Sequence, residues 1–303
     1  MAENILKYQS GTVRARLEKS ERILLRDVEF SLDVGESMAL IGETGSGKTI
    51  LALSLMKLLP PNVTAEAGKL IFLGQDLSGS KNMQAHLGKT IVYIPQNGSE
   101  FLNPTRTVRR HLYDGLQRMG VKRGQWAQQA TEVLTLSGFA EPKEVLDKYP
   151  FQLSGGMAQR ITIALAACSK AKLIIADEPT NGLDSGGKEA FWEMLDRLFP
   201  AAARIIITHD MTVAARCSRA LVLCGGRTLE QGLAEGILER PYHPYSRALM
   251  GALVKNGMEE SPVLRNEKGE CPFYKRCKVA KNECRNALRY HASGDREWWC
   301  NDI

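Results

Sequence analysis

The chain has 303 residues, 44% of them hydrophobic and 24% charged, with a formal net charge of +6. That is enough apolar material for a buried core, which excludes an intrinsically disordered chain, and enough length for one large domain or one domain with an appendage. The mild positive excess is scattered and fits contact with nucleotide phosphates or an anionic membrane face, while no basic run with interleaved aromatics points to nucleic acid as a partner.

The longest apolar stretch, 161–176, is interrupted by Lys170 and Lys172 and falls short of the ~20 residues a membrane span needs. The opening MAENILKYQ lacks the charged-then-apolar pattern of a signal peptide. A cytoplasmic location is expected, with any membrane span supplied by a partner.

In chain order, the alternation over 23–34 predicts a strand and 37–41 (SMALI) a short buried strand. A Gly-rich turn leads into a helix over about 48–59, stopped by Pro60-Pro61. Strands are expected at 68–73 and 89–95. The section 104–150 reads as mostly helical, and a further helix runs from about Ser154 to Ser169. Buried strands at 172–176 and 204–208 flank a helix at 186–199, and 219–230 reads as a hairpin through Gly225-Gly226. Strands alternating with helices give an α/β core with a mainly parallel sheet. The helical block forms a lobe of its own, about 97–170. The domain division is 1–236 for the core and lobe and 237–303 for a C-terminal extension, with a short helix at 245–253 and a polar stretch at 257–269.

Residues Gly42-Glu43-Thr44-Gly45-Ser46-Gly47-Lys48-Thr49 match the phosphate-loop pattern G-x-x-x-x-G-K-S/T. The glycines permit backbone angles barred to other residues and let the main chain approach phosphate closely. Successive N–H groups, Ser46 among them, face one cavity, and the following helix adds its positive end. Lys48 reaches the terminal phosphates, and Thr49 offers its hydroxyl to Mg²⁺. A glycine turn joining strand to helix is the bland alternative, but the loop sits between a buried strand and a helix, as the mechanism requires.

Residues 173–178 read Leu-Ile-Ile-Ala-Asp-Glu, a buried strand ending in two acids at the end of the sheet that faces ligands. Neighbours on an extended segment point apart, so the two acids divide the work. Asp177 holds the Mg²⁺ shell, and Glu178 accepts a proton from, or orients, the attacking water.

Residues 153–160, Leu153-Ser154-Gly155-Gly156-Met157-Ala158-Gln159-Arg160, resemble the LSGGQ signature of ABC ATPases. Ser154 is a helix N-cap there, and Gly155 and Gly156 expose N–H groups at a positive helix end. Other pieces follow in the family's order. Gln96, in Tyr93-Ile94-Pro95-Gln96, is similar to the Q-loop glutamine that senses Mg²⁺ and nucleotide. Asn181-Gly182-Leu183-Asp184 resembles the D-loop at the dimer interface, and His209 the switch histidine that contacts the γ-phosphate. The resemblance implies a P-loop NTPase fold of the ABC nucleotide-binding type, an ATPase using ATP and Mg²⁺. Because each motif occurs once, it also implies a dimer with itself or with a homologous ATPase subunit. The span of likeness is about 20–240.

Within the family, Tyr149-Pro150-Phe151, Met157, Phe101-Leu102-Asn103-Pro104 and His243-Pro244-Tyr245 resemble the peptide and nickel importer branch. That branch implies two membrane-spanning permease subunits, an extracellular solute-binding protein and a place at the cytoplasmic face of the inner membrane. Import of di- and oligopeptides is the expected function, with a nickel or metal-chelate solute as the alternative. A soluble repair or translation ATPase is remote, since no coiled-coil insertion or second cassette is present, and intact Glu178 and His209 disfavour a non-hydrolysing subunit. One departure is the region where the family stacks adenine on an aromatic residue. It reads Val13-Arg14-Ala15-Arg16-Leu17, which leaves the Arg16 guanidinium plane, or more weakly Tyr8, for that role.

Seven cysteines occur. Cys168, Cys217 and Cys224 sit in apolar surroundings and read as core residues. The other four, Cys271, Cys277, Cys284 and Cys300, have the spacing C-x5-C-x6-C-x15-C within the last 33 residues. In a reducing compartment they suggest metal before disulfides. Similar tails in peptide-importer ATPases imply a [4Fe-4S] cluster, and four thiolates also suit tetrahedral zinc. His291 is read as a solvated loop residue in preference to a ligand, and Trp298-Trp299 as a cover for the metal site in preference to a pair facing the membrane interface.

Overall fold

The structure, a computed structural model, describes residues 3–18, 20–66, 68–252 and 271–302. The predicted polar stretch 257–269 lies outside them. The elements in chain order are β1 (Asn4–Gln9), β2 (Thr12–Leu17), β3 (Ser20–Arg26), β4 (Glu29–Asp33), β5 (Ser37–Ile41), α1 (Lys48–Leu55), β6 (Val63–Ala65), β7 (Lys69–Phe72), β8 (Gln75–Asp76), α2 (Ser80–Met83), β9 (Ile91–Ile94), α3 (Gly98–Phe101), α4 (Val108–Arg118), α5 (Trp126–Leu136), α6 (Pro142–Leu146), α7 (Gly155–Ala167), β10 (Leu173–Asp177), α8 (Ser185–Leu198), β11 (Ala203–Ile207), α9 (Met211–Ala214), β12 (Arg219–Cys224), β13 (Arg227–Leu233), α10 (Ala234–Glu239), α11 (Pro244–Gly251), β14 (Tyr290–Ser293) and β15 (Arg296–Trp299). They divide into two compact units, residues 1–80 with 207–303, and residues 81–206.

In the first unit, β5 is buried along four of its five residues and pairs in parallel with β12, Leu40 opposite Leu221. Buried apolar runs of this kind suit strands covered on both faces. The expected hairpin forms, with β12 antiparallel to β13. Beyond it β15 pairs with β13, Glu230 opposite Trp298, and β14 closes the edge against β15. The C-terminal extension therefore continues this sheet. Two smaller antiparallel sheets, β4-β1-β7-β8 and β3-β2-β6, complete the unit.

Three departures from the sequence reading concern this unit. The single strand expected over 23–34 is two strands, because Asp27 turns the chain with φ +52°. Strands β1 and β2 had no counterpart in the prediction. In β2 Val13 and Ala15 are buried while Arg16 faces out, so only two small apolar residues mark the period. Helix α1 ends at Leu55, ahead of the Pro60 stop, because Lys57 adopts φ +56°.

In the second unit, β10 is buried throughout and parallel to β9, with Ile175 opposite Tyr93. The helical block forms its own core, in which Leu112, Leu116, Leu134, Leu146, Ile161 and Ala164 are buried. The amphipathic spacing of α4, with Val108, Leu112 and Leu116 on one face, drives that packing.

Candidate functional site

The predicted residues fall into two groups, one on each unit. In the first unit the chain leaves β5 at Ile41 and turns through Gly42, whose φ is +153°. A Cβ there would stand 2.2 Å from the carbonyl oxygen of Leu223, so only glycine lets the loop lie against β12. Thr44, Gly45 and Thr49 are exposed, and Ser46, Lys48 and Gly42 are buried. Gly47 is the N-cap of α1 with φ +108°. Lys48 is 9% exposed, and its ammonium donates to Gly42 O at 2.8 Å and Glu43 O at 3.0 Å. The Ser46 hydroxyl is buried without a hydrogen-bond partner. A buried orphan hydroxyl beside a lysine and a helix start is chemistry that suits an anion.

Thr208 donates its N–H to Leu40 O at 3.2 Å. That bond sets His209 just beyond the end of β5, the strand that opens into the phosphate loop, and His209 is exposed there. The next residue, Asp210, caps α9 by accepting from Thr212 N.

Of the two candidates for adenine stacking, Tyr8 does not fit. Its ring is buried against Phe30, with centroids 5.5 Å apart, and its hydroxyl donates to Ser54 at 2.9 Å. Arg16 is exposed on β2, its guanidinium 3.8 Å from the Glu21 carboxylate.

On the second unit β10 ends at Asp177, as expected. Glu178 then departs from the extended geometry assumed for the pair: its φ is +47°. The two carboxylates are separated by this left-handed turn, a conformation that costs about 1–3 kcal/mol for a residue other than glycine and concentrates at working sites. Its carbonyl accepts from Asn181 N at 3.1 Å, which starts the turn into Asn181-Gly182-Leu183-Asp184. Asp184 caps α8 by accepting from Gly187 N at 2.7 Å.

Tyr93 donates its hydroxyl to Asp177 at 3.2 Å. Burial first, and then the Asp177 charge and hydrogen bond, push the phenol well above its ordinary range. Gln96, three residues further on, is exposed. Ser154 accepts from Met157 N at 3.2 Å and caps α7, leaving Ser154, Gly155 and Gly156 exposed at its positive end.

Two residues of the first unit, Glu43 and Arg276, were given no role from sequence. Glu43, inside the phosphate loop, is gripped by Arg276, and its N–H reaches the Tyr245 hydroxyl at 2.9 Å. A carboxylate within an anion-binding loop calls for a cationic partner, and that was the available signal.

In the tail, all four cysteines are free, and Cys271, Cys284 and Cys300 are buried. Burial pushes the Cys271 thiol up to about 12, reinforced by Cys284, Cys277 and Cys300. Cys277 and Cys300 are also raised, first by burial and then by their fellow cysteines. Among the described residues, however, no group of three or more His, Cys, Asp or Glu side chains is placed to hold a metal ion. The expected zinc or iron–sulfur centre thus has no formed ligand set to rest on. His291 is neither ligand nor solvated loop: it lies on β14, stacked on Trp298 at 5.3 Å, and bonds Cys300 O at 2.8 Å. Trp298 packs edge-on against Tyr242 at 4.7 Å, which gives it a packing role in place of the metal cover expected for it.

A family description, "ABC transporter", matches residues 25–181, and a second, "Oligopeptide/dipeptide transporter, C-terminal region", matches residues 229–284. The probable peptide ABC transporter ATP-binding protein y4tR of Sinorhizobium fredii is 34% identical over 290 residues, covering 89% of this chain and 86% of its own length. The oligopeptide transport ATP-binding protein OppD of Haemophilus influenzae is 36% identical over 299 residues, covering 93% and 92%. A dimeric ATP-binding cassette solved in a post-hydrolysis state with ADP and Pi superposes with a TM-score of 0.67 at 22% identity. It covers 76% of this chain and 99% of that one, a likeness of fold.

Proposed function

The chain belongs to the ABC transporter ATP-binding family, with the C-terminal region of oligopeptide and dipeptide transporters, and from this we propose that it powers an importer of di- and oligopeptides. It is an ABC ATPase. The observation that carries the solute class is the match of residues 229–284 to the peptide-transporter C-terminal region. A nickel or metal-chelate solute has weaker support, because both the matched region and the relatives above bear peptide names.

In this reading ATP docks on the phosphate loop through Gly42, Thr44, Gly45, Ser46, Gly47, Lys48 and Thr49. The Lys48 ammonium exchanges the carbonyls of Gly42 and Glu43 for phosphate oxygens, and the Ser46 hydroxyl gains the partner it lacks. Thr49, Gln96 and Asp177 hold Mg²⁺, which supplies charge neutralisation on the phosphates when bound. Glu178 orients a water and takes its proton as the water oxygen bonds to the γ-phosphorus and the bond to ADP breaks. His209 steadies the γ-phosphate. Arg16 is the adenine platform. Ser154, Gly155, Gly156 and Asp184 face the nucleotide of a second ATPase subunit, so the working unit is a dimer of this chain or of it with a homologue.

No helix among the described residues is long and apolar enough to cross a membrane. The reading therefore assigns the span to two permease subunits and delivery to an extracellular solute-binding protein, with this chain at the cytoplasmic face. Residues 1–236 act as the nucleotide-binding domain and 237–303 as the extension.

A [4Fe-4S] cluster on Cys271, Cys277, Cys284 and Cys300 is the finer part of the proposal. Its support is an all-thiol donor set with no disulfide, in which each thiol lies within electrostatic reach of the others. The spacing C-x5-C-x6-C-x15-C lacks the close C-x2-C pairs common in structural zinc sites, which favours the cluster over tetrahedral zinc. Iron and acid-labile sulfide analysis of anaerobically purified protein tests this; zinc in their place rejects the cluster.

The deciding experiment is reconstitution with the cognate permease pair and binding protein in vesicles. Hydrolysis is expected to rise with di- and oligopeptides. Stimulation by nickel or metal chelates, with none by peptides, would reverse the assignment.

A further inference from the structure

The phosphate loop carries an acid at a place meant for anions, and the cysteine-rich tail supplies the cation that answers it. Arg276 lies between Cys271 and Cys277 in the sequence. Its Nη1 donates to Glu43 Oε1 at 2.7 Å and its Nη2 to Glu43 Oε2 at 2.9 Å, a two-point grip. The Arg276 side chain is 6% exposed and that of Glu43 29%. The guanidinium also lies 5.0 Å from the centre of the Phe273 ring and 5.9 Å from that of Tyr245.

Glu43 is held at every polar group. Its N–H donates to the Tyr245 hydroxyl at 2.9 Å, its carbonyl accepts from Lys48 Nζ at 3.0 Å, and its carboxylate faces Arg276. A second contact joins tail and loop through the β12–β13 turn. Gly226 donates its N–H to Ser46 O at 2.8 Å, and at Gly225 an added Cβ would stand 2.8 Å from Pro272 of the tail. The tail is therefore seated on the loop from two sides.

We propose that Arg276 is a positioning residue for ATP: it neutralises and fixes Glu43, so that the phosphate loop accepts the nucleotide's negative charge in the right geometry. The proposal rests on the reading of this loop as the ATP site. Without Arg276, a bare carboxylate would stand beside the incoming phosphates and the loop would lose its tether. Both effects weaken ATP binding more than they slow the chemical step.

The test uses the full-length chain, titrated with a fluorescent ATP analogue and Mg²⁺, with KM and kcat measured in the assembled transporter. Arg276→Ala is expected to raise the nucleotide Kd and the KM for ATP roughly tenfold, with kcat at saturating ATP within about twofold. Adding Glu43→Gln to Arg276→Ala is expected to recover most of the lost affinity, since the offending charge is gone. A role confined to tail packing would show no such recovery. If Arg276→Ala fails to fold, Arg276→Gln keeps the stem against Phe273 while removing the charge, and is read the same way. Unchanged affinity in a folded Arg276 variant overturns the proposal, and so does a loss that Glu43→Gln leaves in place. Failure of the wild-type chain to bind the analogue would instead reject the ATP site itself.

Discussion

Tyr93 and Asp177 face each other across paired strands, the phenol donating to the carboxylate at 3.2 Å from within a buried strand pair. Such a donor fixes the orientation of the carboxylate. Tyr93→Phe removes it without changing the ring that packs against Phe101. The apparent Mg²⁺ requirement of ATP hydrolysis is expected to rise roughly tenfold, with near-normal turnover at saturating Mg²⁺. A Mg²⁺ titration of the activity checks this.

Glu178→Gln keeps the shape of the side chain and removes its basicity. Turnover is expected to fall roughly hundredfold or more, with ATP still bound. Single-turnover hydrolysis alongside equilibrium nucleotide binding separates the two, and an unchanged rate would remove Glu178 from the catalytic role.

Ser154 serves two ends: it caps α7 through Met157 N and presents a hydroxyl at the exposed helix start. Ser154→Ala is expected to lower stability by about 1 kcal/mol and to reduce hydrolysis. Ser154→Asn, a competent cap, is expected to restore the thermal midpoint but not the activity. Calorimetry with a parallel ATPase assay reads both.

His243 gives a pH signature independent of nucleotide. Its Nδ1 accepts from Tyr245 N and caps α11, while Nε2 is buried without a partner. Burial first, then Arg247, pushes its pKa down from 6.5 to about 3. The unfolded chain therefore binds a proton that the folded chain refuses between about pH 6.5 and pH 3. The stability from this group is complete above 6.5 and is lost as the pH falls toward 3. His243→Asn keeps an N-cap and removes the titration, so its stability curve is expected to be flatter over that window in denaturant titrations at stepped pH.

The legible parts of the fold were those where periodicity and punctuation agree. SMALI, KLIIA and RIIIT are apolar runs long enough to be buried strands, and Gly225-Gly226 marks a hairpin. Helix α7 is announced by its serine cap. The second strand was missed because Val13 and Ala15 bury little surface between arginines, and the break at Asp27 depends on a backbone angle that residue type does not announce. Residues of the nucleotide motifs were readable because their spacing is tied to turns and strand ends. The bond from Tyr93 to Asp177 and the grip of Arg276 on Glu43 join positions 84 and 233 residues apart, beyond any local pattern. The left-handed turn at Glu178 was likewise invisible in an Asp-Glu pair.

The β14–β15 hairpin has a practical consequence. It covers β13 through the pairing of Glu230 and Gln231 with Trp298 and Glu297. A chain cut back to the family's core would leave β13 as an open border of unpaired amides, with Tyr242 stripped of the Trp298 ring it packs against. Strands left bare in this way recruit other chains. Self-association of a truncated protein should therefore be traced first to this missing hem, before any fault is sought in the nucleotide site.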